Sequence, residues 1–127
     1  MGNTKLEGTG VSVTDKRVFD SGAVRDDRTG KGRFDLISPH ALLALAKRLE
    51  EGAVHYGDRN WEKGMNVSAC YDSCLRHLQQ FWMGDTSEDH LAAALCNVMF
   101  MLHTVKENPD FDDRPKFNQG YEDGRSA

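Results

Sequence analysis

The side chains best able to do chemistry are acidic residues on segments with helical periodicity. Glu50 lies at the edge of the apolar face of the first segment, Asp72 lies on the second, and Asp89 lies at the start of the third. Carboxylates on facing helices of a bundle commonly hold Mg²⁺ or Mn²⁺ together with water and a substrate phosphate. The pattern therefore favours a magnesium or manganese site. A carboxylate beside an apolar face also often simply reaches solvent, so a structural role for Glu50 stays open.

Cationic and aromatic side chains near these acids could bind a nucleotide. Arginine can engage a phosphate bidentately, and a tryptophan can stack on a base while an asparagine contacts the polar edge of that base. The candidates for phosphate are Lys31, Arg33, Arg59, Lys63 and Arg76, and the candidates for the base are Trp61 and Asn60. Each has a structural alternative, because Trp61 could pack beneath its loop and Arg76 could pair with Asp72 four residues before it.

Two polar residues lie on otherwise apolar helical faces. Asn97 continues a stripe that begins at Asp89, and a buried Asn needs partners for its donors and acceptors. The stripe is therefore either a satisfied network between helices or the wall of a binding site. His77 lies at the boundary of the second segment, where Cys70 and Cys74 could join it around a metal. No second Cys/His pair has zinc spacing, which favours three reduced core thiols instead.

The elements that position these residues are three helices. The first is predicted from Pro39 to Tyr56, with Ser38 as its N-cap and Gly57 as its stop. The second is predicted over 68–83 and the third over 88–105, with Thr86 or Ser87 as the cap of the third. No strand pattern competes with them. The predicted fold is all-α: a compact bundle of three main helices over 34–105, completed by a short extra element or a second subunit. A flexible, basic, glycine-rich arm over 1–33 precedes it. A polar tail over 106–127 follows it, and this tail is either loosely held or used in an oligomer contact.

Composition narrows the function classes. The chain has 127 residues, 39% apolar and 28% charged, with a formal net charge of -4. These values are typical of one small soluble domain and argue against a protein that coats nucleic acid or anionic lipid. No apolar run approaches the roughly 18 residues of a membrane span, and the first residues lack the apolar core of a signal peptide. A cytoplasmic protein with neither a membrane nor a nucleic-acid partner is expected.

Several motifs of the chain are informative when they are taken together. They are the residues 30–39, 50–53, 56–64, 72–73, 75–78 and 89–92 together with Asn97, and further ones are Phe19, 22–23, 25–26 and 112–115. The combination resembles a phage-associated family described as dATP/dGTP diphosphohydrolases, which includes the MazZ proteins of phages that use 2-aminoadenine. The similarity extends over nearly the whole chain, and the combination of motifs is specific although each alone is weak.

The resemblance implies a relative of the MazG-like all-α pyrophosphohydrolases. Such enzymes, acting as dimers or tetramers, cleave a nucleoside triphosphate between its α and β phosphates with Mg²⁺ or Mn²⁺. Here the substrate would be dATP or dGTP in the host cytoplasm. The resemblance implies metal binding by Glu50, Glu51, Asp72 and Asp89, with Glu50 and Glu51 catalytic. The substrate-binding candidates are then Lys31, Arg33, Arg59, Asn60, Trp61, Lys63, Arg76, His77 and Asn97.

The chain departs from the MazG pattern at two places. Val54 and His55 stand where the third acid of Glu-Glu-x-x-Glu would fall. Either Ala94-x-x-Asn97 or the turn at Asp89 and His90 stands where Glu-x-x-Asp is expected. Two further hypotheses therefore stay open. One is a MazG-like module that binds or sequesters a nucleotide without cleaving it, and the other is a helical adaptor for another protein.

Overall fold

The computed structural model of the protein describes residues 16–117, so the predictions for 1–15 and 118–127 lie outside the described residues. The chain divides into two compact units, with the boundary between Ile37 and Ser38. None of the helices within residues 16–117 combines the length and the apolar character that spanning a membrane requires.

The first unit contains a small antiparallel hairpin of β1 (Lys16–Val18) and β2 (Val24–Asp26), followed by a 3-10 turn over Phe34–Leu36. Lys16 pairs with Asp26 across the hairpin at 2.7 Å. Gly22 adopts a φ of +91° in the connecting turn, a conformation that favours glycine. The sequence analysis did not predict this hairpin, because three-residue strands are too short for an alternating pattern to stand out.

The second unit is the predicted helical bundle. It contains α1 (Pro39–Tyr56), a 3-10 turn (Asn60–Lys63), α2 (Val67–Trp82), α3 (His90–Glu107) and a last 3-10 turn (Pro109–Phe111). The limits of α1 agree with the prediction, since the Ser38 hydroxyl accepts a hydrogen bond from the Ala41 amide at 3.3 Å and Gly57 has a φ of +90°. The all-α prediction is confirmed for this unit.

Helix α3 begins two residues later than predicted. The Asp85 carboxylate accepts a hydrogen bond from the Ser87 amide at 2.8 Å, which holds this part of the connection in a turn. Asp89 is then the N-cap, because its carboxylate accepts from the Ala92 amide at 3.0 Å. The prediction of a cap at Thr86 or Ser87 was wrong, since the turn at Asp85 delays the helix.

Small residues let α3 pack closely against its neighbours. Its face towards the interior buries alanines and a cysteine, and its most extensive packing is with α2, followed by α1. The Cys96 thiol lies 4.0 Å from the Leu45 carbonyl of α1, and the Cys74 thiol lies 3.6 Å from the Ala94 carbonyl. Cys70 is buried as well, and all three thiols are free. Burial raises the pKa of the Cys70 and Cys96 thiols, which keeps them protonated.

Each of α2 and α3 also carries an apolar stripe that one chain leaves exposed. Trp82 is 84% exposed and Leu102 is 60% exposed. Both stripes repeat at i, i+4, i+7 and i+11, the spacing of a helix seam. They consist of Tyr71, Leu75, Leu78 and Trp82 on α2, and Leu91, Leu95, Val98 and Leu102 on α3. One chain therefore buries less of these helices than their apolar patterns predict.

The residues after α3 fold back onto the bundle. Phe111 packs directly over Gly64, and the Asp113 carboxylate accepts hydrogen bonds from the Ser68 amide (2.9 Å) and the Ser68 hydroxyl at the start of α2. The segment from residue 106 to Asp113 is therefore not loosely held, contrary to one of the two expectations for this tail. An aromatic contact and a helix cap hold this segment in place.

Candidate functional site

Two buried histidines meet where α2 approaches the start of α3. His77 lies five residues before the end of α2, and His90 is the first residue of α3. Their Nδ1 atoms are 2.9 Å apart, and His90 is 2% exposed. Glu88 lies beside them, and the three side chains each offer one ligand atom within 4.8 Å of the others. We call His77, Glu88 and His90 the histidine cluster; their donor atoms could hold a metal ion.

Asp85 orients His90 from the other side of the ring. One oxygen of the Asp85 carboxylate accepts from the Ser87 amide, and the other lies 3.2 Å from Nε2 of His90. Nε2 has no aligned hydrogen-bond partner, so this contact is electrostatic rather than a well-formed hydrogen bond. A carboxylate can only accept, which places the His90 proton on Nε2 and leaves the Nδ1 lone pair facing His77.

Arg48 connects the histidine cluster to α1. Its guanidinium lies 2.9 Å from the Glu88 carboxylate and 3.8 Å from the Glu51 carboxylate three residues along α1. Arg48 is only partly exposed, whereas Glu51 points largely into solvent. A continuous polar path therefore runs from the predicted catalytic residue Glu51, through Arg48 and Glu88, to the two histidines.

The site favours a neutral His77 and an ionised Asp85. Burial lowers the pKa of His77 below its ordinary value, and the Glu88 charge acts in the opposite direction. The hydrogen bond from the Ser87 amide lowers the pKa of Asp85. Metal-binding histidines are neutral, and the ring nitrogen remote from the metal commonly faces an ionised carboxylate, as Nε2 of His90 faces Asp85.

The four carboxylates predicted to bind Mg²⁺ or Mn²⁺ do not converge within one chain. Glu50 is exposed on α1, and Asp72 is exposed on α2, where it lies 3.5 Å from Arg76. Asp89 caps α3. Among residues 16–117, the histidine cluster is the single group of three or more potential metal ligands, and it contains none of the four. Their roles stay predictions.

In the loop after α1, some residues that were predicted to contact the substrate have structural partners within the chain. Trp61 stacks on Phe100, with 5.6 Å between ring centroids, and meets the edge of His103 at 4.8 Å. Together with Gly64 under Phe111, these residues form what we call the aromatic clamp. Elsewhere in the loop, Arg59 pairs with Glu62, while Asn60 is half-buried and Lys63 is exposed.

Asn97 joins a network between two helices. Its side-chain amide donates to the Ser73 hydroxyl on α2 at 3.2 Å and to the Ala93 carbonyl of its own helix at 2.9 Å. Ser73 is thus the interhelical partner that a structural role of Asn97 requires. His77 is the predicted substrate contact that lies within the polar path.

Lys31 and Arg33 belong to the first unit. Arg33 forms a bidentate pair with Asp35, with both N···O distances at 2.8 Å, and Lys31 is exposed. Arg33 also lines a shallow depression with Arg17 and Arg28. The Nε atom of Arg17 is buried without a hydrogen-bond partner among the described residues.

Sequence reasoning missed Arg48, Asp85 and the central role of Glu88 and His90. A signal was present in the positions of His77 and His90 on polar margins of apolar helices. The connection hid it, because residues 83–89 run back along α2 and bring position 90 beside position 77 rather than beside Trp82.

Comparison with known families gives one match. A family model described as dATP/dGTP diphosphohydrolase, N-terminal, matches residues 21–114, which is more than half of the chain. No curated protein and no solved structure matches the chain significantly.

Proposed function

Since the chain belongs to the dATP/dGTP diphosphohydrolase N-terminal family, we propose that it hydrolyses a purine deoxynucleoside triphosphate to the monophosphate and pyrophosphate. Water adds to the α phosphorus, the bond from that phosphorus to the bridging oxygen breaks, and pyrophosphate leaves. The family match over residues 21–114 carries this proposal. The surface acids of α1 and the polar path that leads from Glu51 are consistent with it.

We propose Glu50 and Glu51 as the carboxylates that act on the substrate, because both lie at the solvent-facing side of α1. Arg48 holds Glu51 loosely at 3.8 Å, so that carboxylate can turn towards a ligand without leaving a buried charge unpaired. We further propose dependence on Mg²⁺ or Mn²⁺. Since the predicted acidic ligands do not converge in one chain, their assembly around a metal would need a second copy or the bound nucleotide.

The apolar stripes on α2 and α3 support a homo-oligomer. Two packed helices that each expose an apolar seam match the half of a four-helix bundle that a two-fold axis would complete. We propose that a second copy covers the α2 and α3 stripes.

Light scattering coupled to size exclusion should give a dimer or tetramer, and Leu95→Lys with Val98→Lys should give a monomer. Val24→Lys, at an exposed apolar position of the hairpin, is the matched control. A monomeric parent protein would contradict the proposal.

The catalytic proposal is tested by product analysis. The protein is incubated with each dNTP and NTP in Mg²⁺, Mn²⁺ or EDTA, and the products are separated by ion exchange. Monophosphate and pyrophosphate should form from dATP or dGTP and disappear with EDTA. Glu50→Gln and Glu51→Gln should each lower turnover at least about a hundredfold while the helical content stays unchanged. Glu107→Gln, an exposed acid at the end of α3, is the control. Full activity of both glutamine variants would remove these residues from the mechanism.

One observation favours the alternative of a nucleotide-sequestering module. The described chain does not assemble its predicted metal carboxylates, which a binding protein would not need. Nucleotide binding by calorimetry, with no product in any divalent metal, would establish that alternative.

A further inference from the structure

We propose that the histidine cluster is a binding site for a zinc-class transition-metal ion, distinct from any Mg²⁺ or Mn²⁺ that serves hydrolysis. Two imidazole nitrogens and one carboxylate are the donor set that Zn²⁺ and its first-row neighbours accept, whereas Mg²⁺ prefers oxygen ligands alone. The proposal rests on side-chain geometry and does not depend on the hydrolase activity.

The spacing of the two rings is close to that of two histidines bound to the same metal ion. At Zn–N distances of about 2.0–2.1 Å and a tetrahedral angle, two ligand nitrogens lie about 3.3 Å apart. The Nδ1 atoms of His77 and His90 are 2.9 Å apart, so each ring would move by about 0.2 Å. Glu88 has a long side chain at the surface and can approach the pair without a change in the backbone.

The position of Asp85 resembles the outer shell of a metal site. In carboxylate–histidine–metal arrangements, the ring nitrogen remote from the metal faces a carboxylate, which fixes the tautomer and raises the basicity of the ligand. Nε2 of His90 faces Asp85 in this way at 3.2 Å, while the opposite nitrogen faces His77. The Nε2 atom is buried without an aligned partner, and a bound cation would strengthen its interaction with Asp85.

Arg48 is the internal competitor of the metal. It lies 2.9 Å from the Glu88 carboxylate that the metal would use, so metal binding displaces or shares that ion pair. Arg48 would then be available to Glu51, 3.8 Å away. The polar path therefore predicts that a metal on α2 and α3 changes the surroundings of a carboxylate on α1.

Metal binding by the full chain tests the proposal without any nucleotide. Protein stripped with EDTA and dialysed is titrated with Zn²⁺, Co²⁺ or Mg²⁺, and bound metal is measured by elemental analysis. The parent protein should bind about one Zn²⁺ per chain, and Co²⁺ should give the visible absorption of a nitrogen-ligated, low-symmetry ion. His77→Ala and His90→Ala should weaken Zn²⁺ binding at least about a hundredfold, while His55→Ala, at an exposed histidine of α1, should leave it unchanged.

Two surface variants keep the test valid if a histidine variant fails to fold. Glu88→Gln should weaken Zn²⁺ binding about tenfold or more, and Arg48→Met should tighten it several-fold because the competing cation is gone. Absence of Zn²⁺ binding by the parent protein would overturn the proposal. So would equal Zn²⁺ binding by the His77, His90 and His55 variants, or Mg²⁺ binding as tight as Zn²⁺ binding. Loss of hydrolysis with Zn²⁺ binding intact would affect only the proposed function.

Discussion

The aromatic clamp and the histidine cluster both contain histidine beside partners from other elements, yet they differ in how fully those partners satisfy one another. In the aromatic clamp, Trp61 has two ring neighbours. Beside the clamp, the Asn108 side-chain amide donates to the Glu62 carbonyl at 3.2 Å. In the histidine cluster, two buried rings face each other and Nε2 of His90 lacks an aligned partner.

The difference separates groups that hold the fold from groups that are ready for a ligand. Buried polar atoms in proteins are nearly always paired, so an orphaned ring nitrogen next to a carboxylate needs an explanation beyond packing. The aromatic clamp needs none, although its Trp61 is a residue that the sequence analysis placed against a base. The predictions below test this distinction.

The largest effect is expected in the aromatic clamp, from Gly64→Ala. Gly64 has a φ of +110°, and an added Cβ would lie 2.7 Å from Cδ2 of Phe111. Backbone strain and overpacking together should lower the free energy of unfolding by about 3 kcal/mol, measured by urea denaturation. Adding Phe111→Ala should recover the part caused by the clash. An unchanged urea midpoint would show that the loop is not held by this contact.

Gly52→Ala is the matched control for that substitution. Gly52 lies within α1, and nothing lies within 4 Å of a Cβ added there. Alanine should therefore stabilise the protein by about 0.5–1 kcal/mol. If stability rises while turnover falls, a ligand or a second copy approaches α1 at this glycine.

Substitution of Trp61 is expected to have the next largest effect on the free energy of unfolding. Trp61→Ala should lower the free energy of unfolding by about 2–3 kcal/mol through the loss of its contacts with Phe100 and His103. Trp61→Phe should lose about 1 kcal/mol and keep the KM for the nucleotide. A large rise in KM with stability retained would instead support the predicted stacking on a base.

Replacing both histidines should change stability less than either clamp variant. The double variant His77→Leu/His90→Leu removes two facing polar groups together and should alter the free energy of unfolding by about 1 kcal/mol or less. The single variant His90→Leu should cost more, because His77 then keeps a buried donor without its 2.9 Å partner. A loss of more than about 3 kcal/mol in the double variant would make the cluster structural.

Local signals in the sequence predicted the helices well and the site only in part. Ser38, Pro39 and Gly57 set the limits of α1 through caps that involve residues close in sequence. The start of α3 depended on which amides the Asp85 and Asp89 carboxylates accept from, and composition cannot rank these choices. The pairing of His77 with His90 and of Arg48 with Glu88 spans α1, α2 and α3, so it follows from packing and not from helical periodicity.

The smallest effect is expected from Asp113→Asn, at the carboxylate that caps the start of α2. Hydrogen bonds from Ser68 hold the pKa of Asp113 below its ordinary value of 3.8, so its folded-state pKa lies below its unfolded-state value. Its contribution to stability is therefore fully present above about 3.8 and is lost as the pH falls through the lowered folded-state pKa. At neutral pH the variant should melt a few degrees lower than the parent.

The pH dependence of the melting temperature distinguishes capping by the charged Asp113 carboxylate from capping by an uncharged side chain. Melting curves from neutral pH to about pH 3 should show the gap between parent and Asp113→Asn narrowing only below about 3.8, since above that value the parent keeps its charge. Asp110→Asn, at an exposed acid of the same segment, should show no such gap. A gap that stayed constant to about pH 3 would mean that the shape of the Asp113 side chain, and not its charge, fixes the start of α2.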